Sequence, residues 1–89
     1  MERVTSDDVR RALTRWFVAA GVPFEDRGSY VIESWAPGDG KRRYRLERDG
    51  RSVGPFYCFG TRAMYDWLWA GIYTLEEAER LRMAKREVA

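Results

Sequence analysis

Apolar side chains recur at helical spacing at both ends of the chain and alternate with polar ones in the middle. Near the start Val9, Leu13, Trp16, Phe17 and Ala20 fall at i, i+4, i+7, i+8 and i+11, with Arg10, Arg11, Thr14 and Arg15 opposite. That is one face of a 3.6-residue repeat. Thr5 or Ser6 can accept from the free N–H groups of a first turn, and Asp7 and Asp8 sit where a helix dipole favours negative charge. Gly21 and Pro23 then stop the repeat. The spacing predicts a helix over about residues 6–20, with Asp7 and Arg11 as an i,i+4 pair.

The middle of the chain changes period. Tyr30-Val31-Ile32-Glu33-Ser34-Trp35 is β-branched and aromatic, and it runs into the turn cluster Pro37-Gly38-Asp39-Gly40. From Arg42 to Arg48 the alternation is strict, with Tyr44 and Leu46 on one side and Arg43, Arg45 and Glu47 on the other. Asp49-Gly50 suits a type I′ turn, which needs positive φ at both central positions. Ser52 to Phe59 contains Pro55, which has no N–H to give a ladder, so this strand lies at an edge or bulges at Gly54-Pro55. Strands are expected over about 30–36, 42–48 and 52–59.

Helical spacing returns with Met64, Trp67 and Leu68, flanked by Tyr65 and Trp69. Thr61 suits a cap at the start and Gly71 a stop. Thr74-Leu75-Glu76-Glu77 has the form of a capping box. It opens a run in which acids (Glu76, Glu77, Glu79) precede bases (Arg80, Arg82, Lys85, Arg86), as a separate helix dipole would favour. Glu76 and Arg80 are placed to pair at i,i+4. Leu75, Ala78, Leu81 and Val88 supply only a narrow apolar stripe, so this segment is the most weakly attached. Helices are therefore expected over about 61–70 and 75–86. The whole reads as one α+β domain: an N-terminal helix, a three-stranded antiparallel β-meander, then two C-terminal helices packed on one sheet face.

Composition narrows the chemistry. The chain has 89 residues, enough for one core. Its four Trp, five Tyr and four Phe are first of all the material of that core. There is no histidine, which removes the usual general base and a common metal ligand, and with them any Ser-His-Asp or Cys-His arrangement. The single Cys58 can form no internal disulfide, and in an aromatic strand it reads as a buried structural thiol. Asp7 and Asp8 cap a helix, Glu76, Glu77 and Glu79 begin one, and Gly38-Asp39-Gly40 lacks the context of a phosphate loop. These residues point to a non-enzyme with no cofactor and no metal. The start of the chain has no apolar leader and no stretch is long enough to span a membrane, so a cytoplasmic location is expected.

Two kinds of binding remain. Lys41, Arg42, Arg43, Arg45, Arg48 and Arg51 gather on the hairpin at 41–51, with Tyr57 and Phe59 nearby for stacking, which suits nucleic acid. Trp35, Tyr57, Tyr65, Trp69 and Tyr73 are more aromatics than a small core easily hides, which suits a protein partner or a second copy of the chain. The plainer alternatives are a solvated strand face whose Arg and Lys guard an edge, and aromatics covered by the last helix. A net charge of +2 is modest for a nucleic-acid binder and favours the protein partner. The contact residues expected are Arg43, Arg45, Arg48, Arg51, Trp35, Tyr57 and Trp69.

The order of elements resembles the arm-type DNA-binding domains of tyrosine recombinases and the double-stranded-RNA-binding domain. The latter has lysines at the start of its last helix, where this chain has Thr61-Arg62-Ala63-Met64. The runs Tyr30 to Gly40, Tyr44-Arg45-Leu46-Glu47-Arg48-Asp49-Gly50 and Ala63-Met64-Tyr65-Asp66-Trp67-Leu68 resemble small orphan accessory proteins of actinobacterial phages. That resemblance covers about the middle half of the chain and brings no catalytic residues. It implies an accessory protein that binds a host protein inside a bacterial cell.

Overall fold

A computed structural model describes residues 3–36, 38 and 42–88, the side chains of 55–57, 59, 87 and 88 excepted. The predicted turn cluster at Pro37 to Gly40, apart from the backbone of Gly38, and Lys41 lie outside the described residues. Helix α1 spans Ser6–Ala20 and begins with a reciprocal cap. The Asp8 N–H donates to Thr5 Oγ1 at 3.2 Å, and the Thr5 N–H donates to Asp8 Oδ2 at 2.8 Å. Its other end closes on Gly21 at φ 72°, with the Val22 N–H reaching back to the Phe17 carbonyl at 2.9 Å. The buried face is Val9, Ala12, Trp16 and Phe17, with Ala20 exposed. Asp7 pairs with Arg10 at 3.8 Å rather than with Arg11.

The bond from the Thr5 N–H holds the Asp8 carboxyl below its ordinary range, with the Thr5 hydroxyl adding to the effect. A carboxylate with a depressed folded pKa contributes stability above its unfolded value of about 3.9, and that contribution is lost as pH falls through the folded value. Melting temperature should therefore drop between about pH 4 and pH 2, and Asp8→Asn should show a smaller drop. Thermal melts of both proteins across that range give the comparison.

A short 3-10 turn, Phe24–Ser29, leads into β1 (Tyr30–Trp35), β2 (Arg43–Arg48) and β3 (Arg51–Phe59). They form one antiparallel sheet in the order β1-β2-β3, the expected meander with Pro55 on an edge strand. Asp49 and Gly50 take φ of 50° and 81°, as the two-residue turn requires. Arg48 then pairs with Arg51, Leu46 with Val53 and Tyr44 with Cys58. Between the last two pairs the register shifts, so β3 bulges through Gly54-Pro55. Tyr30, Ile32, Tyr44, Leu46, Val53 and Cys58 face the core, where Leu46 is fully buried. Burial pushes the Cys58 thiol above its ordinary pKa, which makes it a poor nucleophile.

The two expected C-terminal helices are one. Helix α2 runs unbroken over Gly60–Val88. Gly71 lies inside it, and a Cβ at that position would stand 3.0 Å from Trp16 Nε1 and 3.3 Å from Cδ1. The glycine lets the indole of α1 approach; it does not end the helix. Thr74 is likewise no cap, since its hydroxyl donates to the Ala70 carbonyl one turn back, at 2.9 Å. Thr61 sits within the first turn and donates to Tyr44 Oη at 3.3 Å. Met64, Leu68 and Ile72 form a fully buried row at i, i+4 and i+8, continued by half-buried Leu75. This row carries the helix across Gly71.

Helices α1 and α2 pack together and α2 lies on β2 and β3, while Trp16 and Phe17 bring α1 to the sheet through ring contacts with Tyr30 at 5.9 and 5.2 Å. From Glu77 to Arg86 every residue of α2 is exposed. A helix of 29 residues is about 43 Å long, and this one outruns the body it packs on. The radius of gyration is 15.0 Å, where a compact chain of this length would have about 12 Å.

Candidate binding surfaces

The seven expected contact residues do not share one surface. Alternation along β1 and β2 puts Trp35, Arg43 and Arg45 on the outer sheet face, with Val31, Glu33 and Glu47. Arg45 Nη2 donates to Glu33 Oε2 at 3.1 Å and also pairs with Glu47. Its guanidinium lies 5.4 Å from the centre of the Trp35 ring. A hydrogen bond shared with the Glu47 side chain, followed by that from Arg45, holds the Glu33 carboxyl below its ordinary range. With the Arg45 and Glu47 side chains only 24% and 15% exposed, this is a packed polar cluster and not the solvated strand face the alternation suggested. Its arginine is committed within the chain.

Arg48 and Arg51 stand apart, on either side of the hairpin turn. Both are exposed, but Arg48 lies over the Tyr30 ring at 5.5 Å and pairs with Asp49 at 4.0 Å. Arg42 donates to Ser34 Oγ at 3.0 Å. Acids at 33, 47 and 49 are thus interleaved with the hairpin bases, so the positive charge that looked concentrated in one dimension is partly offset in three. Tyr57 lies in β3, with its side chain outside the described residues.

Trp69 belongs to another surface, between the two helices. Tyr65, Trp69 and Tyr73 recur at i, i+4 and i+8 on α2, a spacing that places them one above another. Their ring centres are 6.3 Å apart for the first pair and 5.6 Å for the second. Tyr65 and Trp69 floor an open groove of about 390 Å³ whose other wall is Asp8, Arg11, Ala12 and Arg15 of α1. Tyr73 is 65% exposed at its end. Arg15 Nη2 meets Glu76 Oε1 at 3.4 Å, replacing the expected Glu76–Arg80 pair; Arg80 instead pairs with Glu77 at 3.0 Å. The indole N–H of Trp69 is screened from solvent and has no acceptor among the described residues.

Sequence reasoning named Trp69 and noted Tyr65 and Tyr73 as surplus aromatics, but it did not join them. An end assigned at Gly71 separates Tyr73 from the other two. Arg11 and Arg15 were placed only on the polar side of the first helix, and their relation to the aromatics needs the helix pairing. A second recess, of about 190 Å³, lies between the start of α1 and the sheet and is lined by Ser6, Val9, Arg10, Ile32, Ser34, Tyr44 and Thr61. It is smaller than the pockets of about 300–1,000 Å³ that hold drug-sized ligands. Among the described residues no cluster of acids and Cys58 could hold a metal ion, and no helix is long and apolar enough to cross a membrane. No family model, curated protein or solved structure matches the chain.

Proposed function

We propose that this chain is a non-catalytic binding protein that holds a partner protein in the groove between α1 and α2. The observation that carries the reading is the ladder Tyr65–Trp69–Tyr73, whose first two rings floor the groove beside Arg11 and Arg15 and whose last is exposed. Tyr, Trp and Arg are the residues most enriched where interfaces concentrate their binding energy. Rigid aromatic rings bury much area for little loss of side-chain freedom. The resemblance to phage accessory proteins supplies the setting, a host protein in the cytoplasm of a bacterium.

Within this reading Trp35 is a packing residue and the outer-face arginines hold the sheet together. Nucleic acid is the less favoured ligand, because Arg45 and Arg48 already pair with Glu47 and Glu33 and with Asp49. Affinity capture from host extract, with and without nuclease, tests both. The wild-type chain should retain a partner after nuclease treatment, and Trp69→Ala should lower its recovery at least tenfold or so, as loss of an interface anchor does. Circular dichroism of the variant should be unchanged. Capture that vanishes with nuclease, or that survives Trp69→Ala and Tyr73→Ala together, would defeat the proposal.

A further inference from the structure

The half of α2 beyond the body has an order of charge that one copy of the chain does not explain. At the start of a separate helix, Glu76, Glu77 and Glu79 would complement the dipole. Helix α2 begins at Gly60, however, so these acids lie about four turns inside it, where the dipole effect has died away. Pairs along the helix, Glu77 with Arg80 and Glu79 with Arg82, account for neighbours. They do not account for segregation, since acids and bases in alternating order would form equally good pairs. Alongside the charges, Leu81 is 58% exposed, on a segment that none of the described residues covers.

We propose that this half-helix pairs antiparallel with the same half-helix of a second copy, in a two-fold symmetric dimer with Leu81 on the axis. The helical period sets Glu77, Ala78, Ala84 and Lys85 within about 60° of Leu81 around the helix. Antiparallel pairing about Leu81 opposes Leu81 to itself, Ala78 to Ala84 and Glu77 to Lys85, each of the last two twice by symmetry. The alanines let the backbones come close, and the charged pairs flank the apolar contact as in coiled coils. A parallel arrangement would oppose Glu77 to Glu77 and Lys85 to Lys85. The order of charge therefore selects one orientation, and the complementary surface is the chain's own.

The overlap of residues 77–85 is only about 13 Å long, so the interface falls below the standard size of about 1,200 Å² or more. The dimer is accordingly weak, with a dissociation constant of about 10 μM or above. Trp69 lies about 120° round the helix from Leu81, so dimerisation leaves the aromatic groove open and presents two of them.

Sedimentation equilibrium of the full chain between about 10 and 500 μM in about 50 mM salt gives the test. The apparent mass should rise from 10.5 kDa towards twice that value. Leu81→Glu should stay monomeric with an unchanged melting temperature, because the residue it alters is exposed. Glu77→Lys and Lys85→Glu should each weaken association by about tenfold, and the double exchange should restore it. Ala78→Cys mixed with Ala84→Cys should cross-link under oxidation, while neither should cross-link with itself. A monomeric mass throughout, a double exchange that stays weak, or Ala78→Cys linking to itself as fast as to Ala84→Cys would each overturn the proposal.

Discussion

Gly54→Ala should cost about 3–5 kcal/mol, a large part of the roughly 5–10 kcal/mol that holds a domain of this size together. Two effects add. The backbone at Gly54 has φ of 85°, a region that side chains other than glycine adopt with strain. A Cβ there would lie 2.1 Å from Trp67 Cζ2 and within 3 Å of two more ring carbons. The ring cannot swing aside easily, because it stacks against Trp16 with centres 6.5 Å apart. Gly50→Ala isolates the first effect: φ is 81° there, and nothing lies within 4 Å of the added atom. Its cost should be about 1 kcal/mol. Urea unfolding of the three proteins measures the difference. Equal midpoints for the two variants would show that contact with Trp67 carries no weight.

Trp16→Ala should be comparably severe, at about 3–5 kcal/mol, and should leave only a narrow margin of stability. Trp16 is the residue at which α1, β1 and α2 meet. Its ring touches Phe17 on its own helix, Tyr30 on β1 and Trp67 on α2, and its edge fills the space that Gly71 vacates. Removing it opens a cavity bordered by three rigid rings, which collapse poorly into the gap. Trp35→Ala is the informative contrast. Trp35 is half-buried on the outer sheet face and packs against Arg45, so its loss should cost about 1–2 kcal/mol. Thermal unfolding followed by near-ultraviolet circular dichroism separates the two, and similar losses would mean that the outer face is as tightly packed as the core.

These two residues also show where sequence reading succeeds and where it stops. The glycine before Pro55 was readable as a bulge because proline lacks an N–H, a local covalent fact. That the glycine must also admit Trp67 was not readable, because the two positions meet only when α2 lies on β3. Gly71 is the sharper example. A glycine followed by a threonine-led capping box has the local form of a helix end, and Thr74 and Glu77 could have formed that cap. The apolar row Met64, Leu68, Ile72 and Leu75 has more to gain by staying helical and buried, so tertiary packing prevails over the local signal. The same misplacement hid the aromatic ladder, since Tyr73 joins Trp69 only if the helix continues.

The candidate surface divides in the same way. Trp69 stood out by residue type, and the arginines of the hairpin stood out by density. Charge density along a chain overlooks what lies across a strand. Once Glu33 and Glu47 are placed beside Arg45, and Asp49 beside Arg48, two of the hairpin's arginines are already paired within the sheet. The groove of α1 and α2 is instead assembled from residues fifty or more positions apart, and no local pattern announces it.

What this sequence determines alone is whatever depends on neighbours along the chain. That includes the first helix with its cap and glycine stop, the three strands with the Asp49-Gly50 turn, and the α+β order. Capping, turn geometry and side-chain period are short-range, so their signals survive without the fold. What only the tertiary structure decides is which glycine is a stop and which is a clearance, which arginines are already paired, and which aromatics are left over. Each of these depends on surfaces meeting across the core, where the burial of a few large rings outweighs a propensity worth a few tenths of a kcal/mol or so per residue.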